Sequence, residues 1–245
     1  MILDEFLPLP PDEFMALVCG PMPSPALSMW FQGIGRELVA MLKRQDMLGA
    51  ERRLLDIGCG CGRVARYLIE EPLASYAGFD RHQGMIDWCR DAISSHWPKF
   101  DFRFFAIESC YQKIDGQGAA VPAVEFKFPW ADRSFDSVLL ASVFTHMPLP
   151  EIQNYLNEIR RCLSPDGKVL LSVFFSESGQ SQVAADINFL LLKEEFLDTV
   201  RAAHFDCSFL NAGGGHNWYL LQPECVRDGA SPPDASSKIQ VQGTS

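Results

Sequence analysis

Two hydrophobic rhythms alternate along the middle of the chain. Short apolar runs of strand length are separated by segments whose apolar residues recur at helical spacing. Arg52–Ile57, Ser75–Asp80, Phe102–Ile107, Ser134–Ala141 and Lys168–Phe175 read as strands. Between them, Arg63–Glu70, Gln83–Ser95 and Pro150–Leu163 read as helices. The second helix gathers Met85, Ile86, Cys89 and Ile93 on one side; the third gathers Ile152, Tyr155, Leu156, Ile159 and Leu163. Ser164–Gly167 reads as a turn and residues 109–129 as a long connection.

Strands alternating with helices predict a parallel sheet covered on both faces. A helix at Lys193–His204 is followed by strands at Phe205–Leu210 and Trp218–Gln222. The glycine-rich link between those two strands is short enough only for antiparallel neighbours. Ahead of the first strand, residues 26–46 are helical by pattern, with Gly33 and Gly35 marking a weak point or a bend. Asp12–Val18 allows one or two further helical turns. The expected organisation is a helical extension or lid over residues 1–49, a main domain over 50–225, and a disordered tail over 226–245.

Composition narrows the function classes. The chain of 245 residues is 47% hydrophobic, which excludes disorder as its main state. Its net charge of −10 repels polyphosphates and anionic membranes at long range. The basic doublets Lys43-Arg44, Arg52-Arg53 and Arg160-Arg161 read as solvated ends of elements, so no nucleic-acid partner is expected. The N-terminal stretch carries carboxylates and prolines where a signal peptide needs a basic region and an apolar run. No apolar stretch approaches the ~20 residues that span a bilayer. No membrane insertion and a cytoplasmic address are therefore expected. The eight cysteines show neither CxxC pairs nor zinc spacing, so reduced thiols and no metal are expected.

The chemistry concentrates at Leu54-Leu55-Asp56-Ile57-Gly58-Cys59-Gly60-Cys61-Gly62-Arg63, between the first strand and its helix. Glycines at alternate positions permit a tight turn and close approach of backbone to a ligand. The helix start that follows supplies free N–H groups. Asp80 ends the second strand, where an acid accepts hydrogen bonds from both hydroxyls of an adenosine ribose. Strand, glycine loop, helix and strand-end acid together predict nucleoside binding at the carboxyl edge of the sheet. The dinucleotide pattern G-x-G-x-x-G is not met, because Arg63 stands at its third glycine. The carboxylate of Asp56 before the loop suits a cationic amino-acid or sulfonium ligand better than a pyrophosphate.

These motifs resemble those of the class I S-adenosylmethionine-dependent methyltransferases. LLDIGCGCGR is similar to the family's first motif and Gly78-Phe79-Asp80 to its second. FPWADRSFDSVLLASVFTHM resembles its fourth-strand segment, and EIRRCLSPDGKVLLSVF the helix, turn and fifth strand after it. The resemblance covers roughly residues 50–222 and is narrowest to a bacterial branch with an SVFTHM-type segment. It implies a Rossmann-like doubly wound, mostly parallel seven-stranded sheet with the last strand antiparallel and helices on both faces. It also implies S-adenosyl-L-methionine as cofactor and methyl transfer to a small-molecule acceptor by a monomer or homodimer.

The resemblance further implies roles for individual residues. Gly58, Gly60 and Gly62 approach the methionine part of the cofactor, and Asp56 contacts its ammonium. Asp80 holds the ribose hydroxyls, Met85 packs on the adenine, and Glu108 takes the place of the family's usual Asp near the adenine amino group. Ser142 faces the methionine end; Arg63, with Arg36 as a weaker candidate, pairs with the carboxylate.

A hydroxyl acceptor needs a general base. His146, just past the fourth strand, is the first candidate and His216 the second; a helix-capping or packing role is the alternative for His146. Trp30, Phe31 and Trp130 are candidates for an acceptor pocket or for plain core. The alternative to an enzyme is a non-catalytic module on the same fold, kept open by the short stretch 176–192 after the fifth strand.

Overall fold

The computed structural model describes residues 7–108, 120–178, 181–183, 188–213 and 215–224. Helices α1 (Asp12–Cys19) and α2 (Ala26–Arg44) precede strand β1 (Gly49–Ile57). There follow α3 (Ala65–Leu68), β2 (Leu73–Asp80), α4 (Gln83–Cys89) and β3 (Phe100–Phe104). Among the described residues, short strands β4 (Ile107–Glu108) and β5 (Val121–Pro122) pair only with each other. Then come β6 (Phe135–Leu140), α5 (Leu149–Cys162), β7 (Leu163–Phe175), β8 (Gln182–Val183) and β9 (Phe189–Leu191). Helix α6 (Lys193–Ala202) leads into the hairpin β10 (Phe205–Gly213) and β11 (His216–Pro223).

The main sheet runs β10-β11-β7-β6-β1-β2-β3. Strands β3, β2, β1, β6 and β7 are mutually parallel, while β11 is antiparallel to both β7 and β10. This is the expected doubly wound sheet with its last strand antiparallel. The pair β8–β9 extends it beyond expectation, since β9 docks alongside Phe174 and Phe175 at the end of β7.

Alternation along the central strands divides the core in two. Leu55, Val138, Leu140, Val169 and Leu171 face α5 and α6, packing with Ile152, Leu156, Ile159, Phe196 and Val200. Leu54, Leu139 and Leu170 face the other way, against Leu38 and Leu42 of α2, Leu68 of α3 and Ile86 of α4. Burial on both faces explains why these strands are apolar throughout rather than alternating with polar residues.

Several boundaries differ from the sequence reading. The expected helix Arg63–Glu70 has α-helical form only at Ala65–Leu68, because the chain leaves the glycine loop through turns. The helix expected to run to Ser95 changes at Arg90 into a π-helical turn, Arg90–Ser94. Ser164–Gly167 is no separate turn. It lies within β7, where the register on β6 jumps from Phe135↔Leu163 to Ser137↔Lys168 and the strand absorbs the extra residues as an irregularity. The closing hairpin is longer than expected, pairing out to Gly213↔His216. Helix α2 continues through both its glycines. A Cβ on Gly35 would collide with the Arg63 carbonyl oxygen, so the glycine there marks a close approach of helix to loop rather than a bend. The tail read at 226–245 and residues 109–119 of the expected long connection lie outside the described residues.

Candidate active site

At the carboxyl edge of the parallel strands lies a cavity of about 610 Å³. That volume falls in the usual range for small-molecule sites. Its floor is the turn leaving β1. Gly58, Gly60 and Gly62 all have positive φ, at 68°, 54° and 78°, where other L-residues are strained. The N–H groups of Gly58 and Cys59 donate to the Phe79 carbonyl, at 2.9 and 3.0 Å, locking the turn against β2. A Cβ on Gly58 would stand 2.6 Å from Val143, and one on Gly60 2.8 Å from Val18, so both positions are hemmed in as well as turned. Gly62 sits apart from the cavity and packs under Cys89 and Ile93.

Asp80 closes this loop from the end of β2. Its carboxylate accepts from the Gly60 N–H at 2.9 Å through one oxygen and from the His82 N–H at 2.9 Å through the other. Burial raises its pKa, and those backbone donors act against the rise. A carboxylate has about four lone-pair sites, so the backbone donors of Gly60, His82 and Arg81 leave acceptor capacity for a ligand. His82 caps α4, its Nδ1 accepting from the Met85 N–H at 3.2 Å, and its ring meets Phe14 of α1 edge-on.

Asp56, the last acid of β1, is 2% exposed and accepts the Tyr76 hydroxyl proton at 2.8 Å. Burial pushes its carboxyl up to about 7, against the Tyr76 hydrogen bond and the Arg63 charge. Ser142 leaves β6 with φ of 63°, a strained value for serine, held by its N–H donating to the buried Ser172 hydroxyl at 3.0 Å.

The cavity thus brings together Asp56, Gly58, Gly60, Arg63, Asp80, Met85, Ser142 and His146. Glu108 is not brought in. Pairing of β3 with β2 ends at Asp80↔Phe104, and the chain then diverges into β4, where Glu108 is exposed opposite Pro122. Ile107 faces the cavity in its stead. Arg36 lies outside the lining, with its guanidinium 4.9 Å from the centre of the Tyr67 ring.

The acceptor-pocket aromatics divide similarly. Phe31 is fully buried with Met15 and Met85, Trp30 is 53% exposed, and Trp130 joins an aromatic cluster with Phe79, Phe105 and Phe135. None of the three lines the cavity. His146 ends the 3-10 turn Phe144–His146. His216 starts β11 with its ring 4.6 Å from that of Phe174, and its buried Nδ1 has no hydrogen-bond partner among the described residues. Burial, Arg63 and His146 together lower its pKa.

Sequence reasoning expected a helical extension or lid over residues 1–49 but named none of the residues with which it meets the cavity. Leu17 and Val18 of α1 line the cavity. Two arginines from the loop and its helix hold that segment down. Arg63 donates to the Val18 carbonyl at 3.1 Å, and the fully buried Arg66 donates to the carbonyls of Leu7 and Pro8 at 2.7 and 2.9 Å. It also missed Tyr155, which the spacing assigned to the core face of its helix but which reaches the cavity wall. The basic doublets are largely neutralised: Lys43 pairs with Glu71, Arg44 with Glu37, Arg53 with Asp136 and Arg161 with Glu158. Among the described residues no group of His, Cys, Asp and Glu is placed to hold a metal, and no helix is long and apolar enough to cross a membrane.

Residues 55–171 match the family model described as a methyltransferase domain. The chain is 22% identical over 138 residues to methyltransferase GfsG of Streptomyces halstedii, covering 56% of this chain and 43% of that protein. It is 27% identical over 145 residues to the malonyl-(acyl-carrier protein) O-methyltransferase of Halalkalibacterium halodurans, covering 58% and 46% respectively. The chain therefore spans less than half the length of these curated relatives. Among solved structures, the PH0226 protein of Pyrococcus horikoshii superposes with a TM-score of 0.56 at 19% identity, over 77% of this chain and 91% of that one. The strand order, the glycine loop with its strand-end acid and the matched segment agree, and the chain has the fold of the class I S-adenosylmethionine-dependent methyltransferases, with residues 55–171 similar to a methyltransferase domain.

Proposed function

We propose that the chain binds S-adenosyl-L-methionine and transfers its methyl group to a small-molecule acceptor by in-line displacement. One observation carries the reading: Asp80 bonds the Gly60 N–H at the cavity floor, which sets a carboxylate and a glycine turn face to face where a nucleoside would lie. The donor set fits the cofactor, with acids at Asp56 and Asp80, a cation at Arg63 and an apolar slot at Met85 and Phe79.

The roles follow from position. Asp80 takes the ribose hydroxyls and Met85 covers the base. Asp56 faces the ammonium, Ser142 supports the methionine end, and Gly58 and Gly60 let the backbone come close. Arg63 reaches the carboxylate only by sharing its guanidinium with the Val18 carbonyl. Glu108 is left out, because it stands exposed and outside the lining.

The bound cofactor supplies a methyl group already activated on a sulfonium, so the protein has chiefly to position it and exclude water. The roof of Leu17 and Val18 excludes water on one side. His146 is the general base where the acceptor is a hydroxyl, taking its proton at the cavity wall. Equilibrium dialysis with S-adenosylhomocysteine tests the binding step. Transfer of labelled methyl from S-adenosyl-L-methionine to a small-molecule extract fraction tests the reaction. Binding without any transfer would favour the non-catalytic module instead.

A further inference from the structure

The acids of the site are held where they stand. Asp56 accepts from the Tyr76 hydroxyl, and Asp80 from the Gly60 and His82 N–H groups. Basic groups gather at the same edge of the sheet. Arg63 leaves the glycine turn, His146 follows β6, and both line the cavity. Strand β11 brings a further one. It runs antiparallel to β7, with Asn217 opposite Val173, so its first residue, His216, arrives at the carboxyl edge with its ring 4.6 Å from that of Phe174.

The cofactor's sulfonium is itself a positive charge, and basic groups around it repel it unless an anion joins them. The charges of Arg63 and His146 already oppose protonation of His216. The His216 Nδ1 is buried and without a hydrogen-bond partner among the described residues. A proton there would be unpaired, so the ring keeps it on Nε2. Each imidazole thus has an N–H to donate, whatever its charge. Arg63 bonds the Val18 carbonyl and its charge also acts on Asp56. The imidazoles are therefore the groups for the acceptor, and donors of this kind match the oxygens of a carboxylate.

We propose that the acceptor is a carboxylic acid methylated on oxygen, its carboxylate held in the cavity by His146, with His216 behind His146 as a positioning residue. The proposal rests on the methyl-transfer reading above and narrows its acceptor. A carboxylate oxygen forms the bond to the methyl carbon as the carbon–sulfur bond breaks, and that bond's electron pair stays on sulfur. Anion and sulfonium cancel, the products are a methyl ester and S-adenosylhomocysteine, and no proton moves. His146 then serves as a hydrogen-bond donor and not as a base.

The test uses the full chain, S-adenosyl-L-methionine labelled in its methyl carbon, and a small-molecule extract. Mild alkali cleaves methyl esters and releases their label as volatile methanol, whereas methyl ethers and methylamines keep it. Most of the transferred label is expected to come off. His146→Gln keeps an N–H donor but takes up no proton, and it should retain most of the rate. His146→Ala should raise the half-saturating extract concentration about tenfold, and His216→Ala about threefold with the maximal rate kept. Wild-type affinity for S-adenosylhomocysteine establishes that each variant is folded; should an alanine variant not fold, the alkali result and His146→Gln decide. Label stable to alkali overturns the assignment while leaving the methyl-transfer reading intact. Equal loss of rate in His146→Gln and His146→Ala overturns it too, because that marks a base. Binding of S-adenosylhomocysteine without any transfer removes the methyl-transfer reading and this one with it.

Discussion

The Tyr76 hydroxyl stands 2.8 Å from the Asp56 carboxylate, joining adjacent strands beneath the glycine turn. Tyr76 is itself wedged tightly, stacked on Phe100 at 5.0 Å between ring centres. Removing the hydroxyl leaves a buried acid without that partner. Tyr76→Phe should lose roughly 1–3 kcal/mol of stability, measured by urea unfolding near neutral pH. An unchanged midpoint would show that the pair contributes nothing to the fold.

The raised pKa of Asp56, about 7, makes binding visible as proton release. At pH 6 the free protein holds Asp56 mostly protonated. An ammonium placed against it favours the charged form and expels up to about one proton. Titrating S-adenosylhomocysteine in buffers of different ionisation enthalpy measures that number. Asp56→Asn should bring it close to zero, and a wild-type value near zero would place the ammonium elsewhere.

Glu151 is also raised, to about 7, by burial. An acid whose folded pKa lies above its unfolded value holds a proton that the unfolded chain releases. Its contribution is therefore complete at low pH and is lost as pH rises from about 4.5 to about 7. Glu151→Gln should flatten the fall of melting temperature across that window. A fall just as steep in the variant would contradict the assignment.

Gly35 lets α2 approach the Arg63 carbonyl, and Arg66 bonds the segment that leads into α1. Gly35→Ala forces a methyl into the Arg63 carbonyl, and Arg66→Ala frees the carbonyls of Leu7 and Pro8. Each should cost roughly 1–3 kcal/mol. Limited proteolysis should then cut within the first helix faster than in wild type. Equal cutting rates would show that these contacts do not anchor it.

How far the sequence could be read depends on how local each cause is. The glycine turn was legible because Gly58, Gly60 and Gly62 each need a left-handed backbone that few other residues accept. The central strands were legible because burial on both faces leaves an unbroken apolar run. Glu108 was misplaced because spacing along a chain does not show where pairing stops, and β3 leaves β2 at Phe104. Tyr155 and Arg66 gave no separable signal. One has the helical spacing of a core residue, and the other has partners nearly sixty positions away, at Leu7 and Pro8. The extra strand β9 is apolar but only three residues long, and only the end of β7 provides its template.

The most direct measurement is calorimetric titration of S-adenosylhomocysteine into wild type and Asp80→Ala. Saturable one-to-one binding to wild type is expected, with a loss of at least about tenfold in affinity for the variant. Absence of binding to wild type, or equal binding to both, would contradict a nucleoside site built on Asp80.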